Sequence, residues 1–131
     1  MKRKVSVLFV VLIFFMTLCL GVVACQKGEV QDVVIMVENA TQGQTLLSYM
    51  QELQEENKIS FVLQNGMVTK INGTSNAVSS YWMLYTTDVE NANTAWGTYE
   101  YNGQTLGSAI SGAETLIVKN GETYVWTYQT F

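Results

Sequence analysis

The sequence predicts an α+β domain in which one helix packs on a small mixed or antiparallel sheet, and three observations carry that prediction. Only one stretch, around Leu46 to Leu53, places apolar residues at helical spacing. Much of the remainder is runs of β-branched and aromatic residues of strand length. After the helix, four Asn-Gly dipeptides (Asn65-Gly66, Asn72-Gly73, Asn102-Gly103 and Asn120-Gly121) punctuate the chain, and Asn-Gly suits the tight turn of a hairpin because both residues tolerate positive φ.

In chain order, Val33-Val34-Ile35-Met36-Val37 reads as a strand buried on both faces, and residues 40–44 as a loop. Thr45 is the expected N-cap of the helix, Leu46, Leu47, Met50 and Leu53 its apolar stripe, and Asn57-Lys58 its end. Gln51, Glu52, Gln54, Glu55 and Glu56 form its polar side, so the glutamates read as a solvated face and not as a carboxylate site. Two hairpins have strong flanks. Ile59 to Leu63 turns through Asn65-Gly66 into Met67 to Ile71, and Thr115 to Val118 turns through Asn120-Gly121 into Thr123 to Tyr128. Between them, Tyr81 to Thr86 is a strand, Asp88 to Thr94 a polar loop, and Trp96 to Tyr101 a further strand.

The beginning of the chain fixes the expected compartment. Lys2-Arg3-Lys4 precedes an uncharged apolar run from Val5 to Val23, followed by Ala24-Cys25, which is the layout of a secretory signal. The run is also long enough to span a bilayer. Val22-Val23-Ala24-Cys25 resembles a bacterial lipobox, with valine where leucine is commonest, and implies cleavage before Cys25 and lipidation of its thiol, palmitate being one acyl group. The expected organisation is a lipoprotein signal peptide over 1–24, a short polar tether over 25–31 and one domain over 32–131. The domain would then sit at the extracytoplasmic face of the cell membrane, held there by the lipid on Cys25. An uncleaved signal anchor gives the same placement. In this setting the sequons at Asn39 and Asn72 read as turn residues.

Composition narrows the chemistry. The chain has 131 residues, Lys+Arg 7, Asp+Glu 11 and no histidine or proline. Three of the seven basic residues lie in the leader, so four face eleven acidic ones in the mature part, a net −7. An acidic surface without basic clusters does not track a phosphate backbone, so nucleic acid is not an expected partner. Without histidine there is no Ser-His-Asp triad, no Cys-His pair and no imidazole metal ligand. Ser79-Ser80 and the Ser108 to Ser111 segment offer hydroxyls without a base. Asp88 to Asn93 spaces its oxygens as a calcium loop does, but lacks that loop's glycine and closing glutamate. The expectation is therefore a non-enzymatic domain with no catalytic residue, no metal site and no cofactor.

Several segments, taken in order, resemble the transcobalamin-like C-terminal domain family. Thr45-Leu46-Leu47-Ser48-Tyr49-Met50 is similar to the "T-L-L-x-x-L" opening of the family helix, and Met67 to Gly73 to its "x-V-x-x-I-x-G" strand and turn. Ser80 to Tyr85 is similar to "x-x-W-M-x-Y", and Val118 to Tyr128 to the closing "x-x-D-G-D-x-x-x-W-x-Y", with Asn120 and Glu122 in place of two aspartates. The family's "V-N-G" after the Trp strand is displaced, so that residues 88–98 look like an insertion. The resemblance implies a β-grasp-like fold and a module that closes over one face of a corrinoid with loops and aromatic side chains.

The candidate ligand-binding residues are Trp96, Tyr81, Trp82, Tyr85, Tyr99 and Trp126. Flat rings with a polar tip suit a planar amphipathic ligand and equally a protein interface. Period-2 geometry puts Tyr124, Trp126 and Tyr128 on one strand face, and Tyr81, Met83 and Tyr85 on one face of theirs. Trp82 and Trp126, as landmarks of the resemblance, read mainly as sheet core, and Trp96, flanked by Ala95 and Gly97, as an exposed contact. Two functions follow as expectations. One is capture of a corrinoid (cobalamin-like) or other small molecule for a membrane transporter or surface receptor. The other is a cell-surface module that docks on a protein or the cell wall with no small-molecule ligand.

Overall fold

The computed structural model describes residues 30–131; the predicted signal peptide, the lipidation site Cys25 and most of the tether lie outside the described residues. Eight strands and one α-helix follow: β1 (Val33–Met36), α1 (Leu46–Glu55), β2 (Phe61–Gln64), β3 (Met67–Ile71), β4 (Thr74–Ser75), β5 (Ser80–Thr86), β6 (Ala92–Tyr101), β7 (Gln104–Ala109) and β8 (Thr123–Thr130). The α+β expectation stands, with the sheet divided in two. A five-stranded sheet runs in the order β1-β8-β5-β7-β6 and a three-stranded sheet in the order β2-β3-β4, and every pairing in both is antiparallel. Among the described residues no helix is long and apolar enough to cross a membrane.

The helix begins and ends where its local chemistry dictates. The Thr45 side chain accepts the Ser48 N–H at 3.1 Å, satisfying a donor left over at the first turn. At the other end Asn57 takes a left-handed conformation, φ 61°, while its N–H donates to Gln54 O and the Lys58 N–H to Leu53 O. That pair of bonds is a Schellman cap with asparagine in the left-handed position. Leu46 and Met50 are fully buried and Leu47 and Leu53 pack beside them, so the predicted stripe faces the core.

Three of the Asn-Gly dipeptides make two-residue hairpin turns. At Asn65-Gly66, Asn72-Gly73 and Asn102-Gly103 both φ values are positive, as the right-handed twist of the flanking strands requires. The fourth behaves differently, and the expected hairpin from Thr115 to Tyr128 does not form. Only Gly121 has positive φ there, and Asn120 uses its Oδ1 to accept the Ala40 N–H at 2.7 Å. The two sides of β8 are occupied by β1 and β5, so Thr115 to Val118 finds other partners. Leu116 O accepts the Leu46 N–H, and the Val118 N–H donates to Gln44 O, which fastens this segment to the entrance of the helix.

Two further expectations are corrected. β1 is fully buried on one face only: Val33 and Ile35 point into the core, while on the other face Val34 is half-buried against the second core and Met36, near the end of this outer strand, is 64 % exposed. The polar loop after β5 is shorter than predicted. A 3-10 turn over Val89–Asn91 leads directly into a ten-residue β6 that already includes Asn93 and Thr94.

Both faces of the large sheet are covered. On one face, Trp82, Leu84, Tyr124 and Trp126 pack with Val33, Ile35, the helix and the inward residues Val68 and Ile71 of the small sheet. Two hydrogen bonds tie the sheets together: Trp82 Nε1–H to Thr74 O at 2.8 Å and Tyr128 O–H to Ser75 O at 2.7 Å, the two rings lying 5.3 Å apart. The other face is covered by the β6–β7 hairpin. β7 pairs with β5 at Tyr85 and Thr86, and Tyr99, Tyr101 and Leu106 of the hairpin pack with Tyr85, Val125, Val34 and Met83 in a second, smaller core. Residues 94–97 bulge out of the β6–β7 ladder between Asn93 and Thr98.

Removing only the Tyr128 hydroxyl isolates one of the two ties between the sheets. Tyr128→Phe is expected to cost about 1 kcal/mol, read as a lower urea midpoint at unchanged m-value.

Candidate functional site

The two tryptophans of the closing and central strands arrive at one place by different routes. β7 pairs with β5 only at Tyr85 and Thr86, so among the described residues the stretch of β5 from Tyr81 to Leu84 keeps a side with no strand beside it. A cleft of about 400 Å³ lies along it, walled by Tyr81 to Leu84, by the 108–113 segment, and by Met67 and Val68 next to the first hairpin turn, with Trp126 reaching it from β8. A volume of that size lies within the usual range for small-molecule sites. Most of the lining side chains are apolar, and Met67 and Ile110 stand exposed at the cleft.

Trp82 and Trp126 differ in what their indoles have left to offer. Trp82 is committed: its ring nitrogen donates to Thr74 O and its backbone N–H to Asn76 Oδ1 at 2.9 Å. Trp126 is 5 % exposed and its Nε1–H has no hydrogen-bond partner among the described residues. A buried donor without an acceptor costs about 1–3 kcal/mol. Tyr81 lies at the cleft with its hydroxyl bonded to Val78 O at 3.1 Å and its ring 6.3 Å from that of Phe131.

The six aromatic residues singled out in the sequence thus fall into three places. Tyr81, Trp82 and Trp126 share the cleft. Tyr85 and Tyr99 stack at 5.5 Å in the second core, on the opposite face of the large sheet from the Trp82 and Trp126 rings. Trp96 stands on the 94–97 bulge, 65 % exposed, and belongs to neither group. As period 2 demands, Tyr124, Trp126 and Tyr128 do share a face. The sequence reading missed Met67, Ile110 and Ala113; Ile110 lay inside a serine-flanked segment read only for its hydroxyls, and no local pattern marks where that segment crosses the end of β5.

Asp88 and Glu90 have structural employment. Asp88 is buried and caps the 3-10 turn, its carboxylate accepting from the Glu90 N–H at 3.2 Å and Asn91 Nδ2 at 2.7 Å. Lys119 reaches the same carboxylate at 3.2 Å and also pairs with Glu90, and the bond to Glu90 is the main cause that raises the lysine's pKa. Among the described residues no three His, Cys, Asp or Glu side chains converge on a metal-sized site.

Two tyrosines hold their protons more tightly than usual. Tyr99 donates to the Asp32 carboxylate, and that bond, helped by burial, raises its pKa. Tyr124 is raised chiefly by burial, partly opposed by the Lys119 N–H that its oxygen accepts at 3.0 Å. A raised pKa in the folded state contributes stability that is complete below the unfolded value, about 10, and is lost as pH rises through the folded value. Stability is therefore expected to hold up to about pH 10 and to fall above it. In Tyr99→Phe the alkaline fall should be shallower, as measured by urea titration at several pH values.

Residues 43–89 match the family described as Domain of unknown function (DUF4430), which is transcobalamin-like. The matched stretch runs from the turn before α1, through β2 to β5, into the 3-10 turn, and so contains Tyr81, Trp82 and the Met67 wall of the cleft. No curated protein and no solved structure matches the chain.

Proposed function

We propose that this chain is a non-enzymatic binding module, β-grasp-like in its packing of one helix on a sheet, whose cleft takes an amphipathic small molecule of the corrinoid kind. The observation that carries the reading is the apolar cleft of about 400 Å³, with Trp126 in its lining and the N–H of that indole without a partner among the described residues. A ligand that fits it presents an apolar edge or face to Trp82, Leu84 and Met67, and an amide, carbonyl or carboxylate oxygen to Trp126. The transcobalamin-like match over 43–89 supports a corrinoid as the first ligand to try. A cleft of this volume covers part of one corrin face, so the other face falls to solvent or to a transporter or receptor that collects the ligand. The protein has no histidine to ligate cobalt, and binding rests on shape, ring contacts and hydrogen bonds.

The module works, in this reading, as a lipoprotein on the extracytoplasmic face of the membrane, anchored through acyl chains on Cys25. Each buried CH₂ contributes about 0.8 kcal/mol, so two or three chains hold a small domain firmly.

Titrating the full chain, kept in detergent, with cobinamide and with cobalamin should quench tryptophan fluorescence and shift the corrin absorbance. Trp126→Phe, which keeps a ring but removes the donor, should weaken binding by about five- to tenfold. No change at high micromolar corrinoid would defeat the corrinoid assignment. Separately, Cys25→Ser should move the protein out of the acylated membrane fraction, and labelled palmitate on that variant would refute the anchor.

A further inference from the structure

Among the described residues, the side of β1 that faces away from β8 has no strand on it. The Val37 N–H donates to Glu122 O on the β8 side, and antiparallel geometry alternates, so Val34 and Met36 turn their backbone N–H and C=O outward. Two residues further on, the outward groups of Glu38 are met by the Tyr49 hydroxyl at 3.3 and 3.4 Å. Beside this free edge lies a groove of about 570 Å³, bounded on the far side by the exposed flank of α1 and the chain leading into β2. Its apolar floor includes Leu53 and Ile59, and its rim carries Glu38, Glu52 and Glu56. The one cation in the lining, Lys58, is already paired with Glu56 at 2.8 Å.

We propose that this groove binds an extended basic peptide segment, which adds to the sheet as a strand alongside β1. The backbone of the peptide completes the hydrogen bonds left open at Val34 and Met36, and every second side chain enters the groove toward Leu53 and Ile59. Lysine or arginine on the peptide meets the three rim glutamates. A second copy of the chain is the obvious competitor for an open edge, but its own β1 brings the same carboxylates, and like charges along a shared ladder disfavour that pairing. The charge on the rim thus selects a cationic strand over self-association. This site is separate from the Trp126 cleft and does not rest on the small-molecule reading.

The test uses the full chain, isotope-labelled and in detergent, with a blocked probe peptide of about seven alternating lysine and valine residues. Binding should shift the amide signals of Val34 and Met36 and leave the Trp126 indole signal in place. Glu52→Lys combined with Glu56→Lys should weaken the probe about three- to tenfold, and N-methylating the probe's backbone on the edge facing β1 should abolish binding. Four outcomes overturn the proposal. They are no shift at Val34 and Met36 with millimolar probe, equal binding of a glutamate-valine peptide, unimpaired binding of the N-methylated probe, and concentration-dependent pairing of the protein through β1 without any probe. Cobinamide binding at Trp126 is scored independently, so either site can fail without the other.

Discussion

The indole N–H of Trp82 ends on the carbonyl of Thr74, and the hydroxyl of Tyr128 on that of Ser75, and through these bonds the small sheet is held on the large one. The small sheet has no interior of its own. Val68 and Ile71 become core residues only when the face of β5 and β8 is laid against them, together with α1. The β3–β4 turn is what brings the two carbonyls within reach, and it depends on Asn72 and Gly73 both taking positive φ. A local turn, two aromatic donors and a shared core are therefore one constraint, and the placement of the cleft follows from it. Met67 and Val68 can wall the cleft because the small sheet is fixed beside the unpaired side of β5.

Where local chemistry decides, the sequence was legible. The helix start at Thr45, its end at Asn57 and the three positive-φ Asn-Gly turns each need only a few neighbouring residues, and each is where the pattern places it. Asn120-Gly121 carried the same signal and did not produce a hairpin. A turn dipeptide specifies a bend, whereas a hairpin also needs both flanking segments free to pair, and β8 was taken on both sides by strands distant in sequence. The exposed Met36 has a similar origin. An apolar run looks the same in the middle of a sheet and at its margin, and only the strand order distinguishes the two.

For the site, the sequence supplied the ring inventory and the period-2 partition of β8, but not which rings meet. Tyr85 and Tyr81 alternate onto one face of β5 and yet serve different ends, because the β6–β7 hairpin covers Tyr85, while Tyr81 lies past the point where β7 has left. The unbonded indole of Trp126 has no sequence signature at all. Trp82 and Trp126 look alike in the chain, and their difference is that one points at a backbone carbonyl and the other does not.

The position of β8 also bears on how this protein is made. Among the described residues, β8 comes last in chain order yet lies in the interior of the large sheet, flanked by β1 on one side and β5 on the other. Until those final residues appear, β1 has no partner and Trp82 and Leu84 have no opposing ring. Most of the ordered core thus waits for β8, and until that strand is made the growing chain holds its apolar segments in an open form. High sequence separation between paired strands slows folding, and here it makes the pairing of β1 wait for β8.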